Sequence, residues 1–371
     1  LHKEYRRQRQ MCIRDSYRTY DIKGYPNDIN YILSADGFGK NDYIKTKRPL
    51  VVVTGPGPGS GKMATCLSQM YLDYERGNRS SYAKFETFPI WNLGLMHPVN
   101  MAYEAATANL NDVNMIDPYH LEAYGKRAVS YNRDVEAFPV LKRMMEKIMG
   151  EAPYLSPTDM GVNMIGYCIS DEDLAIKASK DEIIRRYYNG LVDFRLAKES
   201  YNSVEKISTL MSNLDLKAED RRVAVAAREK EELTGRESFA IELADGRSMR
   251  GKKSKLFSAP AACILNALKK LGNIDDDILL LSPHIIEPVS NLKTKALGEN
   301  EPSLSINEML IALAISATTN PLTHMAIEEI KNLKGLDAHS TVILNDSEKI
   351  ELRKLGLNFT QDPVFTDDSG Y

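Results

Sequence analysis

The sequence predicts an α/β fold, and three observations lead there. A β-branched run at 49–54 (PLVVVT) ends in a glycine-rich loop and passes into a segment with helical periodicity. From residue 235 on, strand-like and helix-like segments alternate to the carboxy terminus. The 371 residues are 43% hydrophobic and 27% charged, the balance of an ordinary globular protein with room for more than one domain.

Taken in order, residues 1–16 (LHKEYRRQRQMCIRDS) are basic and show no fold period. The string MCIRDS resembles translated sequencing-adapter read-through, so this tail is expected to be non-native. An apolar run at 29–34 (INYILS) reads as a strand. The run at 49–54 reads as a buried strand, 62–75 as a helix with Cys66, Leu67, Met70 and Tyr71 on one face, and 83–88 as a second strand. This strand–loop–helix–strand succession predicts a βαβ unit, and with it a P-loop-like, three-layer domain on a parallel sheet over 17–170. An apolar run at 113–116 and a helix at 138–149 come next. Residues 180–214 keep a 3.6-residue period, with Gly190 as an expected bend, and 171–234 is expected to be a helical subdomain.

Residues 235–371 are expected to form a carboxy-terminal α/β subdomain. Asp245-Gly246 is a two-residue turn signal between strands at 238–243 and 247–251. Ser258 and Pro260 open a helix, Ser305-Ile306-Asn307-Glu308 spells a capping box, and Asn320-Pro321 starts another helix. Strands are expected at 278–281, 341–344 and 357–360.

The net charge of −3 provides no basic field for nucleic acid or an anionic membrane. The four cysteines form no CxxC pair, and neither HExxH nor GxSxG occurs. No apolar run reaches membrane-spanning length, and the expected location is the cytoplasm.

The chemistry centres on GPGPGSGK at 55–62. The P-loop pattern is GxxxxGK[ST]. Here the spacing is one residue longer, and Met63 stands where a Ser or Thr would hold magnesium. The loop nevertheless joins a strand to a helix amino terminus, where backbone N–H groups converge on an anion. Gly57, Gly59, Ser60, Gly61 and Lys62 can donate, Gly55 allows the turn, and the Lys62 ammonium would neutralise a phosphate. The alternative is a tight structural turn. The spacing resembles the loops of dethiobiotin synthetase and CTP synthetase. In those proteins a second strand carries acidic residues toward substrate and metal, and Glu86 stands in a comparable place here. Downstream, NMIDPYHLEAYG brings Asp117, a magnesium or water ligand, close in sequence to His120 and Glu122, candidates for acid and base. Arg133 can meet a phosphate through two nitrogens. The alternative for this stretch is a polar loop with a helix cap.

The segments VVVTGPGPGSGK, KFETFPIWNL, HPVNMAYEAATA, NMIDPYHLEAYG, YNRDVEAFPVLK, SPTDMGVN, ATTNP and AHSTVIL together resemble the bacterial family known as domain of unknown function 1846. The resemblance runs from about Tyr17 to near the end. It implies an α/β core, a helical insertion and a carboxy-terminal α/β subdomain, with a further segment upstream in other members. The chain is therefore expected to be truncated at its amino-terminal side, with the three-layer domain incomplete. Some members carry an ATP-dependent peptidase label, which no protease constellation supports here. Three functions come into view. One is a nucleotide-dependent ligase, synthetase or kinase-like enzyme using ATP or another nucleotide with Mg2+ on Glu86 and Asp117. Another is a protein that holds a phosphorylated small molecule without turnover. The last is a homo-oligomeric assembly protein with a structural loop.

Overall fold

In the computed structural model, described for residues 15–57, 59–85 and 88–366, the chain is a mixed α/β protein that divides into two units. The first comprises the described residues up to 104 together with 111–175, and the second 105–110 with 176–366.

The first unit is built on helices. These are α1 (Ile29–Ile32), α2 (Lys62–Glu75), α3 (Pro98–Ala106, whose last two residues belong to the other unit), α4 (Pro118–Tyr124) and α5 (Asn132–Met149). Strands β1 (Lys84–Phe85) and β4 (Gly161–Val162) pair in parallel, and β2 (Asn114–Ile116) and β3 (Val129–Tyr131) pair antiparallel. The core packs α2 against α5 through Leu67, Met70, Phe138, Leu141 and Met145, with Ile32 and Phe38 closing one end.

Two expected strands differ. At 29–34 the apolar run is helical, because the Asp28 carboxylate caps α1 by accepting from the Tyr31 amide. The run at 49–54 has no regular structure and joins no ladder among the described residues, and Leu50 and Val52 are 79% and 75% exposed. β-Branched residues favour a pleated, half-buried surface, but a strand forms only where a neighbouring backbone supplies the ladder. The described residues of this unit therefore hold two-stranded ladders and not the expected three-layer parallel sheet.

The second unit holds α6 (Glu172–Arg195, whose first turn belongs to the other unit), α7 (Tyr201–Asn213), α8 (Arg222–Thr234), α9 (Ala259–Leu271), α10 (Pro283–Asn291), α11 (Ile306–Ala317), α12 (Pro321–Glu328) and α13 (Asp346–Lys354). Its four-stranded sheet has the order β6 (Ser248–Lys252), β5 (Ser238–Glu242), β7 (Asp337–Ser340), β8 (Asn358–Gln361). The hairpin forms as the Asp-Gly signal requires, with Gly246 at φ +82° and the Asp245 carboxylate accepting from the Arg247 amide. α9 lies so close over β6 that a Cβ on Gly251 would stand 2.3 Å from the Cys263 nitrogen. Phe239, Ile241, Ile264, Leu268, Met309 and Leu313 form the centre of this core.

The long helical period resolves into α6 and α7, with Ala197 at φ +54° between them. Gly190 lies within the unbroken α6. A Cβ there would lie 3.3 Å from Val204 Cγ2, so the glycine lets α7 pack close. The face of α8 carrying Val223, Ala226 and Ala227 packs on Ala240 of β5. Residues 278–281 are not a strand, and the strand expected at 341–344 lies four residues earlier, in β7. No helix among the described residues is long and apolar enough to cross a membrane.

Candidate functional site

The glycine-rich loop is shaped by its own side chains. A Cβ on Gly55 would sit 2.4 Å from Ser60 Oγ, so a larger residue there would displace the Ser60 side chain. Ser60 Oγ donates to the Gly57 carbonyl at 2.7 Å. Lys62 Nζ folds back over the loop, donating to the same carbonyl at 2.7 Å and to Ser60 Oγ at 3.2 Å. Gly59 and Gly61 occupy the left-handed region, at φ +70° and +84°, and Gly61 is the residue that starts α2. At Gly57, Gly59 and Gly61, no described residue other than the chain neighbours lies within 4 Å of where a Cβ would stand. The first turn of α2 has no acidic side chain, so its partial positive charge is uncompensated from within the helix. Met63 packs against the core, and the Thr65 hydroxyl is turned onto the Gly61 carbonyl at 3.0 Å. Pro58 lies outside the described residues.

Asp117 is fully buried, and among the described residues both oxygens of its carboxylate accept hydrogen bonds. Oδ1 accepts from the amides of Tyr119 (3.0 Å) and His120 (3.1 Å), capping α4. Oδ2 accepts from the Thr158 amide (3.1 Å) and hydroxyl (2.6 Å). The Asp-Pro sequence produces this geometry, because Pro118 at the first helical position has no N–H to satisfy. His120 is 8% exposed, lying between the rings of Trp91 and Tyr124. Its Nδ1 stands 3.1 Å from Ser156 Oγ and 3.5 Å from Asp159 Oδ1, and Tyr124 donates to Asp159 at 2.8 Å. Glu122 is on the exposed side of α4, away from this cluster.

Arg133, part-exposed, is engaged with the buried Asp112. Nε donates to Asp112 Oδ1 at 2.6 Å and Nη2 to Oδ2 at 2.8 Å. Beside it, Asp134 pairs with Lys84 near the Tyr131 ring. Burial, reinforced by the Asp134 carboxylate, pushes the Tyr131 hydroxyl pKa well above its ordinary value; burial and Asp112 do the same at Tyr103. Between Trp91, Tyr131, Asp134, Thr158 and Asn163 lies a cavity of about 20 Å³, room for about one water. Glu86 lies outside the described residues. Among the described residues no three His, Cys, Asp or Glu side chains converge as a metal centre would.

The fold thus brings Asp117 and His120 together with Ser156, Thr158 and Asp159. The last three carried no expected role, although Ser-Pro-Thr-Asp is a plain turn sequence that had to fold against something. Also missed was Asn100, fully buried, which clasps the loop from Ile90 to Gly94. Its side chain accepts from the Ile90 amide at 2.7 Å and donates to the Ile90 and Gly94 carbonyls. α2 and α5, which carry Lys62 and Arg133, share one core, while the Lys62 ammonium itself stays within its own loop.

The sequence model for the domain of unknown function DUF1846, N-terminal, matches residues 2–215, and that for DUF1846, C-terminal, matches 219–371. The chain belongs to the DUF1846 family. Among its relatives, a "UPF0371 protein" of Streptococcus pneumoniae (strain CGSP14) is 57% identical over 357 residues, covering 96% of this DUF1846 chain and 72% of the relative. "UPF0371 protein SUB1165" of Streptococcus uberis is 57% identical over 356 residues, with the same coverage.

Proposed function

We propose that this DUF1846 chain binds a phosphorylated small molecule, a nucleotide in the first instance, with a phosphate seated on the loop from Gly55 to Lys62. The observation that supports this is the position of Lys62. Its ammonium is already turned onto the loop, held by a neutral carbonyl that a charged phosphate oxygen would outcompete. The glycines at 57, 59 and 61 leave open space beside it, and the amino terminus of α2 adds donors and partial positive charge. In this reading residues 49–54 are the strand leading into a P-loop-like three-layer domain, and the protein works in the cytoplasm.

Two forms of the reading differ in the fate of the bound molecule. A nucleotide-dependent ligase, synthetase or kinase-like enzyme would need a cation beside the phosphates. The side chains near the loop and at Asp117 fit magnesium poorly: Met63 offers no hydroxyl, the Thr65 hydroxyl is committed to Gly61, and all four hydrogen bonds to Asp117 come from protein donors. This favours the other form, a protein that holds the phosphorylated molecule without turnover. No step is therefore assigned to a metal, to His120 or to Glu122.

Calorimetric titration of ATP, ADP and inorganic phosphate into the protein and its Lys62→Ala variant tests the binding claim. The variant should bind at least about tenfold more weakly, since a hydrogen bond to a charged group contributes about 1.5–3 kcal/mol. Equal affinities would remove the claim. Sustained phosphate release from ATP by the purified protein would favour the enzyme over the holding protein.

A further inference from the structure

A roomy space in the first unit lies at the far end of α2 from the glycine loop. It is a cavity of about 370 Å³, within the range that holds small metabolites. Tyr71 and Tyr74 of α2 wall it, Leu33 and Ile148 give it apolar surface, and Glu75 and Lys147 stand among its lining residues. The Lys147 ammonium is tied to the side-chain oxygen of Asn30.

From this arrangement we infer that the cavity is a binding site for a small organic cation, an ammonium or guanidinium group on a flat apolar body. Three features converge on that class. Both α2 and α5 end here, since Tyr71, Tyr74 and Glu75 occupy the last turns of one and Lys147 and Ile148 the last turn of the other. The carboxy terminus of α2, which has no basic side chain in its last turn, thus contributes partial negative charge, while Lys147 offsets that of α5. Glu75 adds a full negative charge and is close enough to Tyr71 to help raise that hydroxyl's pKa, behind the larger effect of burial. The two tyrosine rings offer π faces and apolar area together. The same end of α2 already holds a cation in this way, the Arg76 guanidinium lying 4.0 Å from the centroid of the Tyr43 ring. Lys147 opposes a cation, but it is set against the carboxy-terminal dipole of its own helix, which leaves Glu75 and the end of α2 to favour one. The site is separate from the glycine loop and does not rest on the phosphate reading.

Three probes of one shape decide the matter: benzylamine, benzyl alcohol and benzoate, titrated against the full chain with ligand-observed saturation-transfer NMR. Benzylamine should bind about two- to fivefold more tightly than benzyl alcohol, with benzoate weakest. Glu75→Gln, an exposed change that leaves the core untouched, should erase the preference for the amine. Tyr74→Ala should weaken all three, with circular dichroism checking that the fold survives. Equal binding of the three probes, a preference for benzoate, no binding at all, or an unchanged preference in Glu75→Gln would each overturn the inference.

Discussion

Replacing Asp117 separates a structural from a chemical role more cleanly than any other change in this protein. The carboxylate is fully buried and accepts four hydrogen bonds. Asp117→Ala removes a helix cap, a loss of about 1 kcal/mol. It also leaves the Thr158 amide and hydroxyl without their acceptor, at about 1–3 kcal/mol for each buried unsatisfied group. The sum is about 3–7 kcal/mol, or about two to five decades in a local opening constant. Asp117→Asn can keep Oδ1 as the cap but turns an NH2 group toward two Thr158 donors, so it should cost about 1–3 kcal/mol. Hydrogen exchange at the Tyr119, His120 and Thr158 amides reads this locally, which avoids assuming a single unfolding step for a chain of two units. The expected order of protection is wild type, then Asn, then Ala. Protection unchanged in both variants would refute the capping account and return Asp117 to the metal or water role considered from sequence.

His339 predicts a pH dependence in the second unit. It is fully buried, with Nδ1 2.8 Å from Thr360 Oγ1 and Nε2 3.3 Å from Asp362 Oδ1 in poor hydrogen-bond alignment. Burial is the main cause lowering its pKa below the ordinary 6.5; Arg228 and Arg221 add to the lowering and Asp362 opposes it. The unfolded chain therefore takes up the proton first, so this contribution is complete above about pH 6.5 and declines as pH falls toward the folded value. Urea midpoints between pH 7.5 and 5 should fall in the wild type and flatten in His339→Gln; parallel slopes would contradict this. Gly251→Ala should destabilise the second unit by more than about 3 kcal/mol, because the new methyl would stand 2.3 Å from backbone of α9 that cannot give way, and thermal melting measures it. Arg133→Ala leaves Asp112, whose side chain is buried, without its forked partner; the arginine is itself part-exposed, so a loss of about 2–3 kcal/mol is expected in urea unfolding, with partial recovery in Arg133→Lys.

What the sequence made legible was whatever short-range chemistry decides. The Asp245-Gly246 hairpin, the Ser305–Glu308 capping box and the Ser258 cap each depend on a few adjacent residues, and each formed. The runs at 49–54 and 278–281 depend on a neighbouring strand, which no local pattern can guarantee, and neither is part of a ladder among the described residues. At 29–34 a local rule was overlooked, since Asp28 is a sound helix cap ahead of the apolar run. The candidate site divides in the same way. The turn from Gly55 to Lys62 could be foreseen from glycine and lysine spacing alone. The partners of Asp117 and His120 could not, because Thr158, Ser156 and Asp159 lie some forty residues downstream and meet them only through packing.

Phosphate binding stands or falls at the Lys62 ammonium, and a crystal grown or soaked with ADP tests it directly. A phosphate is expected within about 3 Å of the amides from Gly59 to Lys62, with the ammonium moved from the Gly57 carbonyl onto a phosphate oxygen. A loop with no bound phosphate at saturating ADP, its lysine still on Gly57, would contradict it.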